Sequence, residues 1–252
     1  MEKMENILFE IERKKQVKIL YACETGSRAW GFPSPDSDYD IRFIYMHEVD
    51  WYLSLSQKKD TIEHMDGDLD ITGWDLKKSL SLLKKSNATL IERFQSPIQY
   101  YEVPGFSVEF RRLVESYYSP TAVFFHHYSL AKKFREELGD KTEFKLKSFF
   151  YMLRSLLSCH WIILDSSVLP MHIEGLMRHT DENIRERIRK LIELKAGVGE
   201  KYLHKKDGFL DEWVMDSFET IEKGRQNLGV SKTGISPLNE FFLKMLYAKA
   251  DN

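Results

Sequence analysis

The sequence predicts an α+β protein in which an N-terminal mixed β-sheet with flanking helices, residues 1–110, is followed by a C-terminal helical bundle, residues 111–252. Three observations lead there. Short apolar runs bounded by turn residues, the mark of strands, are confined to roughly the first hundred residues. Beyond Pro97 they give way to apolar residues recurring every three or four positions, as on one face of a helix. No low-complexity linker or internal repeat intervenes, and 252 residues suffice for one large domain or two modest ones.

Residues 2–15 read as an amphipathic helix, with Ile7, Leu8 and Ile11 on one face and Arg13, Lys14 and Lys15 at its negative end. Residues 17–23 form a short apolar strand running into Gly26-Ser27. Ala29 and Trp30 continue as a short helix before Gly31, and Pro33 and Pro35 keep the next loop extended. Residues 39–45 are a second strand, with Ile41 and Phe43 opposite Asp38 and Asp40. After a variable stretch, residues 61–64 predict a strand, Asp66-Gly67 a hairpin turn, and residues 69–72 a third strand carrying Asp70. A helix is expected to start at Thr72, where Thr-x-x-Asp to Asp75 resembles a capping box. Trp74, Leu76, Leu80, Leu82 and Leu83 would form its buried face, and it should end near Asn87.

In the helical half, Ser119 followed by Pro120 is an N-cap with proline at the first helical position, and Gly139 closes that helix. Residues 142–165 carry the longest helical pattern, its stripe running from Leu146 through Phe150, Leu153 and Leu157 to Leu164. Residues 181–196, 208–227 and 237–249 are further amphipathic helices.

Composition narrows the function classes. A hydrophobic fraction of 42% with 30% charged residues is that of a soluble globular protein. The formal net charge of -2 argues against a surface wholly devoted to polyanions, while leaving room for a local basic patch. No apolar run approaches the roughly 18 residues of a membrane helix, so no membrane partner is expected. The N-terminal segment lacks a signal peptide's apolar core, which makes the cytoplasm the expected location. Cys23 and Cys159 stand in apolar surroundings without metal-ligand spacing and read as reduced, buried thiols. Nothing in the sequence indicates an oligomeric state.

The chemistry concentrates in residues 20–45, LYACETGSRAWGFPSPDSDYDIRFIY. On a strand, Asp38 and Asp40 point to one face with backbones roughly 6.6 Å apart. Two like charges there call for neutralisation, which a divalent metal supplies. The Gly26-Ser27 turn ahead of them offers amides and a hydroxyl to phosphate. Asp70, flanked by apolar neighbours, would join the pair if its strand is a neighbour in the sheet. The alternative is three solvent-facing acids on an amphipathic sheet. Arg28 follows the turn and Arg42 shares a face with Asp40; either guanidinium suits phosphate, and Arg42 could instead neutralise the aspartates. Ser37 caps the turn or touches a triphosphate. On the long helix, Lys147, Tyr151, Arg154 and Ser158 make a polar stripe that either contacts nucleotide or is a solvated face. His126 and His127 read as packing or surface residues, and the mixed-charge run 185–206 as a solvated face.

Gly26-Ser27, ten intervening residues, Asp38-x-Asp40 and the later Asp70 resemble the signature of the DNA polymerase beta-like nucleotidyltransferase superfamily. The wording GSRAWGFPSPDSDYDIRFIY, GWDLKKSLSLLKKSNATLIERFQSPIQY and KSFFYMLRSLLSCHWI is similar to a bacterial and phage subfamily of predicted nucleotidyltransferases linked with RNA ligases in RNA repair. The resemblance covers most of residues 20–177. One departure is visible: Glu92-Arg93-Phe94 stands where Glu-Trp-Leu is expected.

The resemblance implies a catalytic domain over residues 1–110 and a helical domain over 111–252 that completes a nucleotide and acceptor cleft. It implies Mg²⁺ or Mn²⁺ as cofactor, with Asp38 and Asp40 ligating both metals and Asp70 the one that activates an acceptor hydroxyl. Gly26 and Ser27 would hold the β- and γ-phosphates, with Arg28, Ser37, Arg42, Lys147, Tyr151 and Arg154 as further nucleotide contacts. The implied partners are an NTP and an RNA end. Two rivals stand beside this reading: AMP transfer to a protein or small-molecule hydroxyl, and a non-catalytic nucleotide- or RNA-binding module. Retention of all three acids weighs against the latter.

Overall fold

The computed structural model describes residues 2–230 and 233–248. The chain opens with α1 (Glu2–Lys15), β1 (Lys18–Thr25), α2 (Gly26–Trp30), β2 (Tyr39–Met46) and α3 (Val49–Leu53). The hairpin of β3 (Thr61–Asp66) and β4 (Leu69–Asp75) leads to α4 (Leu76–Lys84), α5 (Ala88–Arg93), β5 (Gln99–Glu102) and α6 (Phe106–Tyr117). There follow α7 (Pro120–Leu138), β6 (Glu143–Lys145), α8 (Leu146–Asp165), α9 (Ile173–Leu176) and α10 (Glu182–Ala196). The last elements are β7 (Leu203–Lys205), α11 (Gly208–Gly224) and α12 (Ser236–Tyr247). This is the expected α+β architecture.

The described residues form two units. The first draws on the described residues within 2–25, 38–118 and 233–248. Its sheet has the order β3-β4-β2-β1-β5, with β2 and β4 parallel and the other pairs antiparallel. Period-two alternation sends Ile41, Phe43 and Tyr45 of β2 and Leu69 and Ile71 of β4 to one face, where they pack with Met4, Leu8 and Ile11 of α1. The same alternation assigns Asp40, Arg42, Asp70, Thr72 and Trp74 to the opposite face. There Tyr21 stacks on Phe94 at 4.8 Å, and Phe94 on Phe110 at 4.2 Å. Gly73 stands where Phe43 leaves no room, since a Cβ would come within 2.2 Å of that ring.

The second unit draws on Gly26–Ser37 and Ser119–Val230. It holds α2, α7 to α11 and the small β6-β7 sheet. Ser119 caps α7 by accepting from the Ala122 amide, Pro120 occupies its first turn and Gly139 ends it, as expected. The segment 26–37 belongs here because Phe32 stacks on Phe150 of α8 at 4.9 Å.

The structure corrects several boundaries. The division at residues 110/111 is replaced by two discontinuous units: segment 26–37 packs with the helices, and α12 packs with the sheet unit, where Phe241 meets Phe106 and Phe110. No helix starts at Thr72. β4 continues in register with β2 as far as Tyr45↔Asp75, so the ladder outweighs the local capping signal and Trp74 stays on the sheet. Asp75 is the actual cap of α4, accepting from the Lys77 amide at 2.8 Å. The long helix begins at Leu146 rather than 142, because residues 143–145 pair with 203–205. The helix expected over 208–227 ends at Gly224 and tightens into a 3₁₀ turn through Asn227. α12 starts at Ser236, one residue early, and its expected end at Lys249 lies outside the described residues. β5, α3 and α6 carried no sequence expectation. Among the described residues no helix is long and apolar enough to cross a membrane, and Cys23 and Cys159 are buried free thiols.

Candidate active site

Asp40 and Asp70 face each other across the parallel pair β2–β4, in direct register. Neighbouring strands lie about 4.8 Å apart, so two carboxylates there repel unless a cation joins them. Arg42, two residues along β2 and on the same face, is that cation. Its Nη2 donates to Asp40 Oδ1 at 2.8 Å and to Asp70 Oδ2 at 2.7 Å. Its Nη1 donates to the carbonyls of Asp70 at 2.7 Å and Ile41 at 3.0 Å. The three side chains are only partly screened by solvent, at 18% exposure for Arg42, 28% for Asp40 and 33% for Asp70. Of the two roles open to Arg42, the structure displays neutralisation of the aspartates.

Asp38 precedes β2 and is exposed. Among the described residues no three His, Cys, Asp or Glu side chains converge as a metal cage, so Asp38 is not drawn to the pair. Magnesium seldom needs such a cage. It is usually held through one or two carboxylates, with waters and substrate phosphates completing the shell. Asp40 and Asp70 fit that pattern: both are oxygen donors, they face each other, and they already share a cation.

On the same face lies Arg93, one of the two residues, with Phe94, at which the sequence departs from the family wording. It is 1% exposed and lies 3.5 Å from the centroid of the Trp74 ring. Its Nε and Nη1 find no hydrogen-bond partner among the described residues. Burial pushes its pKa down to about 9, and the positive charge of Arg42 acts in the same direction.

The Gly26-Ser27 turn is built within the second unit. Gly26 has φ +66°, the left-handed region glycine enters without strain, and it turns the chain out of β1 into α2. Ser27 is 7% exposed, and its hydroxyl donates to Ser37 Oγ at 3.1 Å. Ser37 Oγ also accepts from the Ser34 amide at 2.9 Å and donates to Glu200 at 3.4 Å. Ser37 is therefore the residue that closes this turn. Arg28 is half-buried on α2.

The polar stripe of α8 is not a solvated face. Arg154 and Ser158 are 5% and 0% exposed. Arg154 lies over the Trp30 indole at 4.5 Å and donates to the Met171 carbonyl at 3.1 Å. Tyr151 meets the same indole edge-on at 5.2 Å. Lys147 pairs with Glu200 at 2.7 Å. Tyr151 and Arg154 thus hold Trp30 of segment 26–37 against α8. His127 is buried, and burial lowers its pKa well below 6.5, in keeping with a packing role.

Ser34 and Asp36 carried no sequence expectation, and the reading of 185–206 as a solvated face is corrected at two residues, Lys195, which is buried, and Glu200, which is bonded to Ser37 and Lys147. The Glu200 amide donates to both Asp36 carboxylate oxygens, at 2.9 and 3.2 Å. Lys195 is 1% exposed and donates to Ser34 Oγ at 2.7 Å. Burial lowers its pKa, with the negative charge of Glu200 opposing. A signal for Lys195 was present, since it falls at the next step of the stripe Ile184, Ile188, Leu191, where an apolar residue belongs. For Glu200, beyond the end of α10, no periodicity points inward.

The sequence model of the RNA repair pathway DNA polymerase beta family matches residues 1–244. The chain is also 37% identical over 240 residues to the uncharacterized protein YcgL of Bacillus subtilis (strain 168), spanning 94% of this chain and 92% of that protein.

Proposed function

Since the chain belongs to the RNA repair pathway DNA polymerase beta family, we propose that it is a metal-dependent nucleotidyltransferase that transfers a nucleoside monophosphate from an NTP to a hydroxyl at an RNA end. The observation that carries this reading is the in-register pair Asp40 and Asp70 sharing one cation on neighbouring strands. A structural sheet face has no need of two facing carboxylates, whereas phosphoryl transfer does.

In the proposed reaction the acceptor hydroxyl releases its proton to solvent and its oxygen bonds to the α-phosphorus as the bond from that phosphorus to the α–β bridging oxygen breaks, and pyrophosphate leaves. A Mg²⁺ or Mn²⁺ ion held by Asp40 and Asp70 would acidify the acceptor hydroxyl and neutralise charge on the phosphates. Asp38, exposed at the head of β2, is assigned as an additional ligand once a nucleotide is bound. Gly26 and Ser27 are assigned to the β- and γ-phosphates. The Ser27 hydroxyl would exchange Ser37 for a phosphate oxygen in doing so. The contribution of the chain is then placement and charge compensation.

The test is incubation with Mg²⁺, labelled NTPs and RNA bearing defined ends, alongside a protein mixture. Label on RNA that vanishes in folded Asp40→Asn and Asp70→Asn supports the reading. Label on protein alone would replace the RNA acceptor with a protein hydroxyl, and undiminished transfer by either variant would remove the acid pair from the chemistry.

A further inference from the structure

We infer that Arg42 is a resident counter-ion which a divalent metal has to displace from Asp40 and Asp70, so that Arg42 sets the metal concentration at which the site loads; this rests on the nucleotidyltransfer reading above. The geometry separates this role from that of an orienting partner. An orienting guanidinium would take the outer oxygens of the carboxylates and leave their facing oxygens to the metal. Here a single nitrogen, Nη2, takes one oxygen from each carboxylate at 2.8 and 2.7 Å. That is the position of an ion bridging the pair.

The seat is anchored from both strands. The other terminal nitrogen is bound to the Ile41 carbonyl on β2 and the Asp70 carbonyl on β4. Both terminal nitrogens are thus matched by oxygens of the two strands, and the guanidinium holds the two acids together when no metal is present. A divalent ion brings charge of the same sign to within a few ångströms, at a site solvent screens only partly. Guanidinium and metal therefore exclude one another, and metal affinity in the absence of nucleotide is reduced by whatever holds Arg42 in place.

Mn²⁺ titration of the full chain without nucleotide, followed by loss of the free-ion paramagnetic resonance signal, tests this. Arg42→Gln, which keeps a planar polar end but no charge, is expected to bind Mn²⁺ about tenfold more tightly than the parent. Adding Asp40→Asn should abolish the gain. Arg42→Lys retains the charge without the fork and should fall between parent and Arg42→Gln. If Arg42→Gln does not fold by circular dichroism, Arg42→Lys carries the test, with affinity equal to or below the parent's as the overturning result. Equal or weaker Mn²⁺ binding by folded Arg42→Gln, with Asp40-dependent binding in the parent, overturns the counter-ion role and leaves nucleotidyl transfer standing. No Asp40-dependent Mn²⁺ binding in any of these proteins overturns both.

Discussion

The guanidinium of Arg154 lies over the indole of Trp30, 4.5 Å from the ring centroid, in a setting where Arg154 is 5% exposed. A cation stacked on tryptophan away from water contributes about 2 kcal/mol, and the Met171 carbonyl would lose its charged donor as well. Arg154→Met is expected to lower the unfolding free energy by about 2–4 kcal/mol. Arg154→Lys should recover only part of it, because an ammonium neither stacks nor forks. Urea titrations followed by circular dichroism measure this. Unchanged unfolding with weakened NTP binding would return Arg154 to the nucleotide-contact role that the sequence suggests.

Ser37 and Glu200 are expected to separate by size of effect. Ser37→Ala leaves the Ser34 amide, now bound at 2.9 Å, without its acceptor in a buried turn, at a cost of about 1–3 kcal/mol. Glu200→Gln removes an ion pair with the half-exposed Lys147, which contributes at most about 1 kcal/mol. Thermal melts of both variants give the order. A larger loss for Glu200→Gln would mean that the ion pair, and not the serine hydroxyl, fixes the loop.

How far the sequence could be read depended on whether a residue's partners were near it in the chain. The α7 caps, the strands carrying Asp40 and Asp70, and the hairpin at Gly67 are local signals, and they were legible. The start of α4 was not, because a seven-residue ladder between β2 and β4 overrides a four-residue capping pattern. Asp40 and Asp70 were readable as a pair only on the assumption that their strands are neighbours, and the parallel β2–β4 pairing meets it. That Arg42 shares a face with Asp40 and could neutralise the acids follows from its two-residue spacing, whereas its single nitrogen bridging both carboxylates is side-chain geometry no spacing rule reports. Arg154 and Lys195 look solvated in sequence because charge suggests water. Their burial follows from partners more than thirty residues away, Trp30 and Ser34.

Gly73 lies on β4 between the position of the acid and the start of α4, and its missing side chain is filled by Phe43. Gly73→Ala drives a methyl to within 2.2 Å of that ring, which has to leave its rotamer or push the strands apart. The expected loss is about 1–3 kcal/mol of stability, read as a lowered melting temperature. Gly73→Ala with Phe43→Leu should recover part of it. No recovery in the double variant would locate the strain in the backbone and not at the ring.

Asp75 is 1% exposed at the end of β4, accepting from the Tyr52 hydroxyl at 2.7 Å and from the Lys77 amide at 2.8 Å. Burial raises its pKa above the ordinary 3.8, with the negative charge of Asp60 adding to it, and outweighs the hydrogen bonds from Tyr52 and from the Lys77 and Lys78 amides, which act the other way. Between 3.8 and the raised folded value, the native state holds more protons than the unfolded chain. Stability contributed by this group is therefore greatest at acid pH and falls as pH rises through that window. Asn caps helices about as well as Asp but does not titrate. Asp75→Asn should accordingly gain on the parent as pH rises from about 4 to about 7, whatever its absolute cost. Urea melts of both proteins across that range measure the difference. If the variant instead loses ground with rising pH, Tyr52 and the α4 amide bind the anion more strongly than burial disfavours it, and the pKa of Asp75 is lowered.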